Sequence, residues 1–300
     1  MKQYICTDLA FEDFGRMAKN SLRTREFRCG LHGEFQVFEA NIETEEQERR
    51  YGRSRGRYMT VFPGKIWSLS GESFHSLSQG VADLVFDLLQ TKLLTEKPCF
   101  TVLVAGIGNP MFTADAVGAQ TVEKLNATRG ILETGQEKPI FSLAAMATGV
   151  SAKTGMEALE QIRGVVQSIG ADATIVVDSL LASSYERLGA TIQLSDAGIC
   201  PGSGVGNHRT AITEQTVGVP VLAIGIPTVV DAATLICDAI KRGGMDALLP
   251  KIEKAISASK GYLVCPKESD LITESAAFLI ADALEHIGSI KRRSEAYSEA

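Results

Sequence analysis

The sequence predicts an α/β fold: a twisted, mostly parallel sheet flanked by helices on both faces, with a small β-rich insertion near the N-terminus. Three observations carry this. Continuous apolar runs rich in branched residues begin near Thr101, Phe141, Ala173 and Val221, as in strands buried on both faces. Segments of helical periodicity separate them, and that alternation folds as parallel strands with covering helices. Residues 25–70 differ: E-F-R-C-G-L-H-G-E-F-Q-V-F alternates apolar and polar residues around a glycine turn, which reads as a hairpin or small sheet.

Taken in order, T-D-L-A-F-E-D-F opens the chain, and Thr7 or Asp8 is suited to cap a helix. The block at 43–58 sets Arg49, Arg50, Arg53, Arg55 and Arg57 around Tyr51 and Tyr58. It reads as a solvated turn whose charges offset the preceding glutamates, with a phosphate or nucleic-acid surface as the alternative. Leu77, Val81, Leu84, Val85, Leu88 and Leu89 share one face of a helix over 73–95. The strand from Thr101 breaks into G-I-G-N-P and reopens as a helix, with Thr113 at its N-cap position and Asp115 in its first turn. Thr154 and Glu157 have capping-box spacing before Met156, Leu159, Ile162 and Val166. A-T-I-V-V-D ends at Asp178. T-I-Q-L-S then reads as an edge strand, followed by the glycine-rich loop at 202–207. V-L-A-I-G-I-P is the last long strand. Leu271 to Ile287 is an amphipathic helix, and the tail beyond it is expected to fray.

The 300 residues are 45% hydrophobic and carry a net charge of −6. That is enough apolar material for a sizeable core, and the charge argues against a dedicated nucleic-acid binder. The six cysteines (Cys6, Cys29, Cys99, Cys200, Cys237, Cys265) and four histidines (His32, His75, His208, His286) form no C-x-x-C pair and no cluster in sequence, so no zinc pattern is present. No run approaches the ~18 apolar residues of a membrane span, and the N-terminus lacks a secretory apolar core. A soluble protein of a reducing cytoplasm is expected.

Open α/β sheets bind ligands beyond the carboxyl ends of their strands. A dinucleotide fingerprint fails there, because position 111 is Met where the third glycine belongs. No P-loop exists. Ser203 lacks the G-x-S-x-G context, with Pro201 two residues before it. A Cys200 nucleophile would depend on His208 alone. Asp115 and Asp178 remain. Each has an ordinary reading, as a first-turn acid and a strand-end cap, but the topology brings both to one sheet edge. Two such carboxylates can share a proton and activate water, or hold a divalent metal. Asp196 and Asp231 are further acids nearby.

Four stretches now closely resemble the spore germination protease family: G-I-G-N-x-x-x-T-A-D-A-V-G, V-V-D-S-L-L-A-S-S, I-Q-L-S-D-A-G-I-C-P-G-S-G-V-G-N-H-R and V-L-A-I-G-I-P-T-V-V-D-A. The resemblance covers nearly the whole chain, with T-D-L-A, G-R-Y-M-T and C-P-K-E-S-D in addition. It implies a fold similar to the hydrogenase-maturation endopeptidases. It implies an endopeptidase that starts the breakdown of small acid-soluble spore proteins in the spore core, made in the forespore as a self-processing zymogen and assembled as a homotetramer. Asp115 and Asp178 match the catalytic aspartates, and no metal, cofactor, membrane or nucleic-acid partner is expected. Residues 1–8 match a propeptide cut between Asp8 and Leu9, leaving 9–300 as a single peptidase domain. Substrate contacts are expected from Gly202, Ser203, Gly204, Gly206, Asn207 and Asp231. The sequence departs from the family at Cys6, where Arg is usual, at Ala114 for Pro, at Ser179 for Ala, and at Thr148-Gly149 for P-G. A binding protein without turnover and a metal-dependent maturation peptidase stay open as alternatives.

Overall fold

The computed structural model describes residues 6–16, 22–93, 97–130, 139–202 and 209–290. The expected frayed tail beyond 290 lies outside them. In chain order the elements are helix α1 (Ala10–Arg16), strands β1 (Arg23–Cys29) and β2 (Phe35–Ile42), helix α2 (Glu45–Tyr51), strand β3 (Gly56–Phe62) and helix α3 (Gly71–Lys92). Strand β4 (Phe100–Ile107), helix α4 (Val117–Lys124), strand β5 (Phe141–Gly149), helices α5 (Ser151–Thr154) and α6 (Ala158–Ile169), and strands β6 (Ala173–Ala182) and β7 (Ile192–Ser195) follow. The chain continues through α7 (Glu214–Val217), β8 (Val221–Asp231), α8 (Ala232–Arg242), α9 (Glu253–Ala258), β9 (Leu263–Val264) and α10 (Ser269–Ser289).

All these strands join one sheet in the order β1-β2-β3-β7-β8-β6-β4-β5, with β9 against the end of β8. The α/β class holds, with helices on both faces. The pairs β4–β5, β4–β6 and β6–β8 are parallel, while β1, β2, β3 and β7 run as an antiparallel extension. The N-terminal β-rich insertion therefore extends the main sheet through β7. The expected edge position of β7 is corrected: it lies inside the sheet, between β3 and β8. Its alternation is real but has a different cause. Ile192 and Leu194 point into the core, while Gln193 and Ser195 line a cavity on the other face.

Alternation along β4 shows the two-sided burial. Val102 and Val104 pack in a core with Leu77, Val81 and Leu88 of α3 and Leu279, Ile280 and Leu284 of α10. Leu103 and Ala105 pack in a second core with Ile162 and Val166 of α6. Helix α3 starts at Ser70, whose hydroxyl accepts from the Ser73 amide at 3.2 Å, and buries its predicted stripe. Two caps differ from expectation. Helix α6 begins at Ala158 with Glu157 as N-cap, in a reciprocal pair with Glu160; Thr154 instead closes the short α5. Thr113 caps nothing: Thr113–Asp115 forms a single 3-10 turn, and α4 starts after it at Val117.

The arginine block is charge-compensated, but only 52–55 form a turn: Arg49 and Arg50 close α2, and Arg57 lies in β3. Arg55 pairs with Glu48 at 3.0 Å, Arg57 with Glu39 and Asp87 at 3.2 and 2.8 Å, and Arg53 with Asp13 at 2.7 Å. None of the six cysteines is in a disulfide, and no described helix is long and apolar enough to cross a membrane.

Gly164, in the middle of α6, is exposed, and a β-carbon there would meet no atom within 4 Å. Gly164→Ala is expected to stabilise the fold by about 0.5–1 kcal/mol, because alanine loses less backbone entropy on entering a helix. A rise in the urea midpoint at constant m-value checks it.

Candidate active site

The turn after β4 is shaped by glycines for reasons of space. A β-carbon on Gly118 would lie 2.3 Å from the Ile107 carbonyl oxygen and 2.4 Å from that of Val177. Helix α4 therefore starts against the backbones of both β4 and β6, an approach only glycine permits. Gly108 has φ +109°, and its β-carbon would lie 2.0 Å from the Asp115 carbonyl oxygen. The loop thus closes on Asp115, whose carboxylate accepts from the Asn109 amide at 2.9 Å. Thr228 of β8 and Thr273 of α10 donate to the Ala114 and Thr113 carbonyls, at 2.5 and 2.9 Å, and fix the turn from the other side.

Asp178 ends the apolar run of β6 and is buried. Its Oδ1 accepts from the Ser179 amide at 2.9 Å. The Ser179 hydroxyl accepts from the Val117 amide at 3.4 Å and so ties β6 to the start of α4. Asp115 and Asp178 line one cavity of about 210 Å³ together with Asp8, Gly108, Gly202 and Arg209. Burial raises the pKa of Asp178 well above the ordinary carboxylate range, and the charges of Asp115 and Asp8 push it the same way. Burial also raises Asp115, against the Asn109 amide and the Arg209 charge. Both carboxyl groups are thus biased toward their protonated forms.

Residues 6–16 occupy the cleft. The Asp8 amide donates to the Leu181 carbonyl at 2.8 Å, and the Asp8 carboxylate accepts from the Leu181 amide at 2.9 Å. The side chain of Asp8 is thus tied to β6, two residues ahead of α1. Leu9 is 1% exposed, among Leu180, Ala182, Leu188 and Val230. Glu12, itself buried, accepts from the Ser183 amide at 2.8 Å and from the Thr7 hydroxyl. A second cavity of about 220 Å³ joins this region and is lined by Asp8, Arg53, Asp178, Gln193, Gly202 and Gly225 among others.

The expected site residues divide. Asp115, Asp178, Asp8 and Gly202 share the cleft. Ser203, Gly204, Gly206 and Asn207 lie outside the described residues. Asp231 lines neither described cavity; it is the N-cap of α8, and its carboxylate accepts from the Thr234 amide at 3.1 Å and the Gly261 amide at 2.7 Å. Asp196 likewise accepts from the Arg57 amide at 2.6 Å, joining β3 to the strand beyond it. Arg209 and Gln193 were not singled out from sequence. Both stand in the quoted motif, and a cation following a glycine loop near two acids was the available signal for Arg209. For a metal, the described cleft residues offer the carboxylates of Asp8, Asp115 and Asp178 and the Cys200 thiol. His75, Asp282 and His286 converge with ligand atoms within 4.8 Å of one another, between α3 and α10, and none of the three lines either cavity.

Comparison with known proteins gives a consistent result. A family model described as germination protease matches residues 17–243. The germination protease of Clostridium acetobutylicum is 33% identical over 281 residues, 84% of each chain. That of Caldanaerobacter subterraneus subsp. tengcongensis is 31% identical over 304 residues, 92% of each chain. That of Priestia megaterium is 40% identical over 201 residues, 66% of this chain and 54% of the relative. Among solved structures, the hydrogenase maturation protease HycI from Thermococcus kodakarensis KOD1 matches at 18% identity with a TM-score of 0.34, over 67% of this chain and 99% of that one.

Proposed function

The chain belongs to the germination protease family, and we propose that it is a zymogen endopeptidase that hydrolyses small acid-soluble spore proteins during germination with Asp115 and Asp178 as its acid pair. Residues 1–8 act as the propeptide and 9–300 as the peptidase. The observation that carries this reading is the shared cavity of Asp115, Asp178 and Asp8, with the pKa of both pair members raised. A protonated acid beside an ionised one is the arrangement needed to hydrolyse an amide.

The chemistry balances on two carboxyl groups and one water. The ionised member takes a proton from water as its oxygen attacks the Asp8 carbonyl carbon, and the carbonyl π pair moves onto oxygen. The protonated member gives its proton to the Leu9 nitrogen as the C–N bond breaks. Asp8 leaves as a carboxylic acid and Leu9 as an amine. Residues 6–9 then represent the cleaved stretch of the substrate, laid against β6 ahead of α1, with an acid before the cut and a buried apolar residue after it.

Mass and N-terminal sequence of the purified chain test this directly. Wild type incubated until processed is expected to begin at Leu9 and then to cleave an added spore protein. Asp115→Asn is expected to keep its first eight residues, with a rate lowered by about 10²–10⁴-fold, the usual contribution of a general acid or base. Unimpaired processing in Asp115→Asn, or a new N-terminus elsewhere in the chain, would refute the mechanism.

A further inference from the structure

The peptide bond between Asp8 and Leu9 is held by one side chain on both flanks. Gln193 Nε2 donates to the Asp8 carbonyl oxygen at 3.2 Å. Gln193 Oε1 accepts from the Ala10 amide at 2.5 Å. The second bond fixes the first: a backbone N–H can only donate, so the amide oxygen must face Ala10, and the NH₂ is turned toward Asp8. From these contacts we infer that Gln193 is a catalytic residue, the donor that holds the oxygen of the scissile carbonyl while β6 and β7 cradle the peptide. This rests on the reading of Asp8–Leu9 as the bond that is cut.

Register explains why Gln193 is placed to do this. On β8, Gly225 stands opposite Asp178 of β6 on one side and opposite Gln193 of β7 on the other. Partners across a sheet point to the same face. Asp178 and Gln193 therefore flank a residue with no side chain, two strand spacings or about 10 Å apart. A β-carbon at Gly225 would come within 2.5 Å of the Leu180 side chain, so the glycine lets Leu180 fold down as the floor of this trough. Leu180, Ser195, Ala223 and Gly225 line the same cavity as Asp8, Asp178 and Gln193. A peptide crossing the trough has a carboxyl group of the acid pair on one side and a primary amide on the other.

The chemical consequence follows from where charge develops. Attack on the Asp8 carbonyl turns its oxygen from a neutral acceptor into an oxyanion. A donor already aimed at that atom gains strength as the charge forms. The ground-state bond of 3.2 Å has room to shorten toward the charge-assisted range. Meanwhile the Ala10 contact grips the substrate two residues beyond the acid equally before and during the reaction. Gln193 thus has two separable roles, uniform grip through Oε1 and transition-state stabilisation through Nε2.

That separation makes the test specific. A peptide of residues 1–16 is supplied as substrate to chains produced with Leu9 as their first residue, so that no variant depends on its own processing, and kcat and KM are measured for wild type, Gln193→Ala, Gln193→Glu and Asp178→Asn, with folding checked by urea midpoint. Gln193→Glu retains an acceptor for Ala10 and loses the donor. It is expected to show KM within about threefold of wild type and kcat lowered by about 10²–10³-fold, the cost of one oxyanion donor. Gln193→Ala should lose both, with KM raised as well. A kcat within threefold of wild type in either folded variant overturns the assignment. If Asp178→Asn is as active as wild type, the acid pair fails, and Gln193 is still judged by its own two variants.

Discussion

Replacing Asp178 with asparagine is expected to cost about 10²–10⁴-fold in cleavage and to make the folded protein more stable at neutral pH. The two effects have one origin. Asp178 is buried, and its pKa stands well above the ordinary carboxylate range because of burial and the neighbouring Asp115 and Asp8. Between the unfolded value of about 3.9 and the raised folded value, the folded state binds more protons than the unfolded chain. Stability therefore falls as pH rises through that window, by about 1.4 kcal/mol per pH unit. Below the unfolded value the penalty is absent. Asparagine keeps the shape and an acceptor for the Ser179 amide but has no such proton to lose. The urea midpoints of wild type and Asp178→Asn should thus converge near pH 4 and separate toward pH 7, with the variant higher. A variant less stable than wild type at pH 7, or a gap that is constant with pH, would contradict the buried, protonated acid. The catalytic role proposed for Asp178 would carry this cost in stability, a familiar exchange.

Gly108→Ala is expected to damage both the fold and the reaction while leaving every carboxyl group in place. At φ +109° alanine is strained by about 1–3 kcal/mol. Its β-carbon would also sit 2.0 Å from the Asp115 carbonyl oxygen, an overlap that only backbone movement relieves, at about 1–3 kcal/mol. A total of about 2–6 kcal/mol should appear as a lower urea midpoint. The movement falls on Asp115 itself, and displacement by an ångström at a reacting centre costs about 10²-fold. Gly164→Ala is the matched control, since it makes the same chemical change in open space. If the two variants have equal midpoints and equal processing rates, the close packing of the loop on Asp115 is wrong.

Much of this was legible in the sequence because it depends on patterns that burial imposes. The four apolar runs could only be strands covered on both sides, and Asp115 and Asp178 followed from which loops meet at the strand ends. What failed was what tertiary context decides. Four residues, I-Q-L-S, alternate as an edge strand would, yet Gln193 and Ser195 are polar because they face a cleft and not solvent. Asp231 looked like a third acid of the site, but its carboxylate completes the start of α8. Thr113 and Thr154 have capping chemistry and no helix to cap. Asp8 was readable as a cap or as a cleavage position, and its pairing with Leu181 is a tertiary contact that no local pattern announces.

The burial of Leu9 has a consequence in time. Hydrolysis would cut one bond, but it would not empty the cleft. Leu9 is packed at 1% exposure among Leu180, Ala182, Leu188 and Val230, and withdrawing such a side chain opposes release by about 1.5–3 kcal/mol. The chain would then pass through a nicked but silent form, in which the new N-terminus still blocks its own cleft. Activity on other proteins would begin after a lag, longer than the appearance of the shortened chain and independent of enzyme concentration. A Leu9→Ala substitution would shorten that delay. The segment would thus serve as a clock as well as a seal, set by how tightly one leucine is held.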